Sequence, residues 1–282
     1  MPLTREKRYN TGMEQRKPDI IFSTLTGIVM VIFMLASLTN QKLFSYDLEL
    51  SSFSISLEIG SMELLIPLAA VIVDLGMYRV LRTYLPVSGE QIGLHLFLPF
   101  AVTLTIGFTL RGIRSGLTGW GLLFITGALL FLVLRFEFIA CDPASASRPV
   151  SIIVLDSLCY AIFLLFITAL RANISRLVIV LPVMFILCTV VSLKIYSFHI
   201  INGNILLLAA MTGITVIFSG TGLHYWPVNI ISYSSLMFFW YYTFTNFITG
   251  IDRNEPFRSV IKRILPACLI AGCTLVYALA KL

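Results

Sequence analysis

Charge is scarce in this chain: Asp, Glu, Lys and Arg make up 12% of its 282 residues, about half the share of an ordinary soluble domain. With 58% hydrophobic residues and a mean hydropathy of +0.93, the composition excludes a water-soluble fold and predicts an integral membrane protein. The motifs of soluble catalysts are missing as well. The chain has no G-x-x-x-x-G-K-[ST], H-E-x-x-H, G-x-S-x-G or glycine-rich dinucleotide fingerprint, so the usual handles for phosphate, zinc and nucleotide chemistry are absent.

Histidine and cysteine are few. Of the five cysteines, Cys141, Cys159, Cys188, Cys268 and Cys273, four fall inside apolar runs and Cys141 in a predicted loop, without metal-type spacing. An odd, intramembrane set argues against a disulfide framework and a zinc site, and reads as small buried hydrophobes. No metal, cofactor or catalytic residue is expected. The net charge of +6 is membrane-surface basicity, not a nucleic-acid footprint. Asn173-Ile174-Ser175 fits the glycosylation triplet, but its loop is very short and abuts the membrane.

Apolar runs close to the ~20 residues that cross a hydrocarbon core are what the chain does have. They predict spans at 20–38, 62–81, 92–110, 119–136, 150–170, 177–195, 204–222, 229–249 and 264–281. The fold class is all-α, a polytopic transmembrane helical bundle of about nine spans, with eight possible. The runs are too long for barrel strands, which would be ~10 residues with period-two alternation. The first run, Ile20 to Leu38, holds 19 uncharged residues and no cleavage signature follows it. It therefore reads as a retained span rather than a signal core.

Lys and Arg set the expected orientation. With a cytoplasmic N-terminus, 14 of them fall inside and 6 outside, which places the C-terminus outside. Residues 1–19 then form a basic cytoplasmic tail, and 20–282 a single transmembrane domain with an external loop at 41–61. That loop alternates apolar and polar residues from Phe44 to Glu58, which fits a surface hairpin as well as an irregular interfacial loop. No internal repeat is evident.

Charges inside spans are the main candidates for function. Asp74 and Asp156 sit in otherwise apolar helices, where an aspartate costs at least about 2.5 kcal/mol, and each precedes a tyrosine by four residues, Tyr78 and Tyr160, on the same helix face. Arg135, Glu137 and Lys194 end spans on the same inner side. The seven form a candidate intramembrane polar network, either fixing helix packing or handling protons, cations or headgroups. The stretch TGLHYWPVN offers a second candidate: His224, Tyr225 and Trp226 between two spans, where aromatic rings anchor at headgroup level. His95 and His199 lie near inner interfaces and rank below His224.

LHYWP from Leu223 to Pro227, FEFIACDP from Phe136 to Pro143 and SLKIYSFH from Ser192 to His199 together resemble an uncharacterised family of bacterial multi-spanning membrane proteins, a domain of unknown function. The resemblance covers roughly residues 62 to 280 and implies a bacterial inner-membrane location, with no activity attached. The reading that follows is an accessory or structural component of a membrane system, in contact with the bilayer and with other membrane subunits. The alternatives are a proton- or cation-coupled transporter using Asp74 and Asp156, and a lipid-modifying enzyme using Asp74, Arg82, Arg135, Glu137 and Asp142.

Overall fold

The computed structural model describes residues 5–38, 42–50, 53–85, 89–111, 117–173, 177–200, 203–226 and 229–280. Nine helices fill most of them: α1 (Arg5–Leu38), α2 (Ser61–Tyr84), α3 (Gly89–Arg111), α4 (Leu117–Cys141), α5 (Arg148–Asn173), α6 (Leu177–His199), α7 (Ile205–His224), α8 (Ile230–Asp252) and α9 (Phe257–Ala280). Six carry a stretch long and apolar enough to cross a membrane: α1, α2, α4, α5, α6 and α7. Of the other three, α3 offers a shorter apolar stretch, Ile92–Gly107. Helix α8 is interrupted by Ser, Thr and Asn, and α9 opens on Arg258, Lys262 and Arg263.

The alternating segment is an antiparallel hairpin, β1 (Lys42–Leu50) and β2 (Phe53–Gly60), in a register that pairs Tyr46 with Leu57 and Leu48 with Ile55. Of the two forms expected for that loop, the structure takes the hairpin. The period-two alternation of the sequence is the pattern that antiparallel strands accommodate.

The chain divides into two compact units, Met1–Leu155 and Asp156–Leu282. In the first, α1 packs on α2 and α4, and α3 on α2 and α4. The buried positions recur every three or four residues: Phe22, Leu25, Val29, Phe33 and Ala36 on α1, and Ile66, Val73, Met77 and Val80 on α2. Such a stripe marks one face of a helix. In the second unit α7 packs on α6 and α8, and α8 also on α6 and α9.

Both units leave large apolar side chains exposed. Phe124 and Ile125 on α4, and Phe218 on α7 and Ile231 on α8, are each at least 66% exposed. Apolar residues on that scale would be costly in water but are ordinary against lipid tails.

Helix ends are settled by polar caps where the chain turns. The Asn204 side chain accepts from Leu207 N to open α7, and that of Asn229 accepts from Ser232 N to open α8. Each satisfies one of the orphan N–H groups of a first turn. After α8 the chain reverses through Asn254 at φ 52°, a left-handed conformation that Asn tolerates.

Candidate functional site

Two carboxylates of the described spans are met by histidines, one pair in each unit. In the first unit Glu137 falls on the buried stripe of α4, in register with Leu130, Val133, Leu134 and Ala140. His95 falls on the stripe of α3 that also carries Ile92, Leu98 and Val102. The two stripes face each other, and His95 Nδ1 donates to Glu137 Oε2 at 2.8 Å. Glu137 is fully buried and His95 is 13% exposed. A carboxylate occupying a core position on an apolar stripe is expensive unless a charged or hydrogen-bonding partner meets it.

In the second unit Asp156 Oδ2 meets His199 Nε2, and His199 Nδ1 meets the Arg253 guanidinium. Arg253 Nε also donates to the His199 carbonyl at 3.4 Å. A guanidinium has no acceptor, so Nδ1 must accept from it, and the ring proton sits on Nε2 and is donated to Asp156. The imidazole thus links an acid on α5 to a base that caps α8. Arg253 lies beside Glu255 at 3.8 Å, and Arg263 donates to Glu255 at 2.7 Å, extending the array onto α9.

A hydroxyl network lies one turn along from Asp156. Thr245 Oγ1 donates to the Tyr241 carbonyl at 2.9 Å, leaving Tyr160 to donate to Thr245 at 2.9 Å, while Asn246 Nδ2 donates to Tyr160 at 3.4 Å. Tyr196 and Thr212 are 2.7 Å apart, and Ser192 donates to Tyr241 at 3.2 Å. Phe163 stacks on Tyr241 with centroids 4.1 Å apart. Polar atoms in this core are bonded to one another across helices, the arrangement that lets a membrane bundle hold hydroxyls away from water.

The seven residues of the sequence-based network fall in both units. Asp74 is half-buried on α2, and its Oδ1 is buried with no hydrogen-bond partner among the described residues. Tyr78, one turn on, is exposed and accepts from Arg82 at 3.2 Å. Arg135 reaches Asp19 of α1 at 3.7 Å, both well exposed. Glu137 holds His95, and Asp156 and Tyr160 hold the partners described above. Lys194 is fully buried on α6 with Nζ 4.5 Å from the Phe198 ring centroid. Of the enzyme set, Asp142 accepts from Ala144 N at 3.0 Å in a local turn.

At the far end of the same unit, Arg171 Nη1 donates to His224 Nδ1 at 2.9 Å and its guanidinium lies 5.0 Å from the Tyr233 ring centroid. Tyr225, the cap of α7, is 76% exposed and Trp226 37%. Cys141 differs from its sequence reading. It is the last residue of α4, not a loop residue, and it is buried. The helix continues past Phe136 because Glu137 and Cys141 keep to its buried stripe, whereas the sequence reading ended the span at the first charges.

Sequence reasoning ranked His95 and His199 below His224 and gave Arg253 no part in the polar network. Their partners lie 42, 43 and 54 residues away, beyond any local pattern. One signal was available: His199 continues the three-to-four-residue stripe Cys188, Val191, Ile195 of α6 by one more turn. Among the described residues, one group could hold a metal ion, His95, Glu137 and Cys141.

The family model described as "Protein of unknown function (DUF5656)" matches residues 43–276. The chain belongs to this family. No curated protein and no solved structure matches it. The family match spans both units, including every residue of the two carboxylate–histidine pairs, and attaches no activity to them.

Proposed function

We propose that this integral membrane protein is a non-catalytic accessory or structural component of a membrane system. The supporting observation is the Asp156–His199–Arg253 array, in which the ionisable groups of three helices are spent on one another. A carboxylate in a span needs compensation, and here it comes from neighbouring helix ends, which locks their relative rotation. In this reading all nine helices span the bilayer, the N-terminus is cytoplasmic, and the ends of α4, α6 and α8 lie at the inner surface of a bacterial inner membrane. The partners are lipid and other membrane subunits.

A second reading, proton or cation coupling, draws on a different observation: Asp74 Oδ1 and Asp156 Oδ1 are both buried without a hydrogen-bond partner among the described residues. A carboxylate with one uncommitted oxygen in a span is suited to take up a proton or a cation. One experiment separates the two. Asp74→Asn and Asp156→Asn are made in the full chain, and thermal stability in detergent is measured beside proton flux in vesicles. The structural reading expects loss of stability for Asp156→Asn and no flux in the parent. A parent that moves protons, with flux abolished by either variant and stability unchanged, overturns it.

A further inference from the structure

We propose that His95, Glu137 and Cys141 form a binding site for a divalent transition-metal ion of the zinc class, a site that goes beyond the structural role argued above. Their ligand atoms lie within 4.8 Å of one another. Glu137 and Cys141 are four residues apart on α4, so one helix presents both on one face, and α3 supplies His95 from the opposite stripe. Two ligands from one helical turn and one from a neighbouring helix is a chelating arrangement that needs no loop.

The donor set selects the metal. Imidazole nitrogen, carboxylate oxygen and sulfur together suit Zn(II) and its first-row neighbours, whereas magnesium and calcium take oxygen alone. Tetrahedral zinc, with bonds of about 2.0–2.3 Å, separates its ligand atoms by roughly 3.3–3.7 Å. The His95–Glu137 contact of 2.8 Å therefore has to open by about half an ångström, and the sulfur, within 4.8 Å of both, has to move in by at most about 1.5 Å. Three protein ligands leave a fourth position for water.

Charge favours the same occupant. Glu137 is fully buried and Cys141 is 9% exposed, so a dication facing a carboxylate and a thiolate balances their charge where burial makes net charge costly. Binding displaces the thiol proton and is weakened by acid accordingly. Cys141 is the last residue of α4, and the chain turns away at Asp142.

The test uses the full chain in detergent, stripped with a chelator and titrated with Co(II) and Zn(II). One equivalent of Co(II) should bind with thiolate-to-metal charge-transfer absorption, which Cys141→Ser should abolish while Cys159→Ser leaves it intact. His95→Gln and Glu137→Gln should each weaken Zn(II) binding by at least roughly tenfold, since even outer partners of a metal ligand are worth that much. If Cys141→Ser does not fold, alkylation of the parent serves instead: Zn(II) should slow modification of Cys141 and leave that of Cys268 unchanged. The proposal is overturned by the absence of a charge-transfer band, by a band that survives Cys141→Ser, or by Cys141 alkylation indifferent to Zn(II).

Discussion

The guanidinium of Arg171 and the imidazole of His224 meet at 2.9 Å, joining the last turn of α5 to the last residue of α7. Because Arg171 can only donate, His224 acts as an acceptor there. His224→Gln keeps an acceptor and should be nearly silent in a thermal melt of the detergent-solubilised protein. His224→Leu should cost about 1–3 kcal/mol by leaving a part-buried donor unmet. Equal stability of the two variants would show that the contact contributes nothing.

A double-mutant cycle on Asp156 and His199 should return a coupling energy of roughly 0.5–3 kcal/mol. Both side chains retain some exposure, 17% and 20%, which keeps the expectation below that of a fully buried pair. By contrast, Asp19→Asn should change stability by less than about 1 kcal/mol, because its pairing with Arg135 is half-exposed and long. Reversal of that order would mean that the array on α5, α6 and α8 is incidental.

Gly107 of α3 packs directly on α2: a Cβ there would lie 2.6 Å from Cγ2 and 2.8 Å from Cγ1 of Ile66, which is fully buried. Ile66 is β-branched and has little freedom to move aside. Gly107→Ala should therefore destabilise the protein by about 1–3 kcal/mol through overpacking. Gly27→Ala is the control, since nothing lies within 4 Å of its added Cβ. Matching melts for the two variants would refute the close α2–α3 packing.

Reporter fusions test orientation and span count together. Fusions after Pro149 and after Asn254 should report cytoplasm, and fusions near Ser51 and at Leu282 the exterior, as nine crossings from a cytoplasmic N-terminus require. A cytoplasmic C-terminus would reduce the crossings to an even number. Helices α3, α8 and α9 would then be the first candidates not to cross, because among the described residues they are the ones without a long apolar stretch.

What the sequence made legible was the apolar centre of each helix, and what it hid was the ends. The span expected at 119–136 is a helix to Cys141, that expected at 177–195 runs to His199, and that expected at 264–281 begins at Phe257. Hydropathy stops at the first charge, but a helix continues while its backbone bonds and its buried stripe continue. Those extra turns carry Glu137, Cys141 and His199, so the polar sites lie where the expected spans had already ended. Asp156 and Tyr160 were visible because a carboxylate in an apolar run is conspicuous. Their pairings with His199 and Thr245 were not, because a stripe shows that a position is buried but not which residue of another helix it meets.

Neighbours in sequence are neighbours in space within each unit: α1 with α2, α2 with α3, α3 with α4, then α6 with α7, α7 with α8 and α8 with α9. Such local connectivity lets a chain assemble as it is synthesised, each helix docking on the one before it. In the first unit the basic partner comes first, since His95 is already in place when Glu137 emerges. In the second the order is reversed: Asp156 precedes His199 by 43 residues, which at ribosomal rates is an interval of roughly 2–9 s. During that interval α5 carries an acid whose histidine partner has not yet been made, so its compensation waits on the delivery of α6.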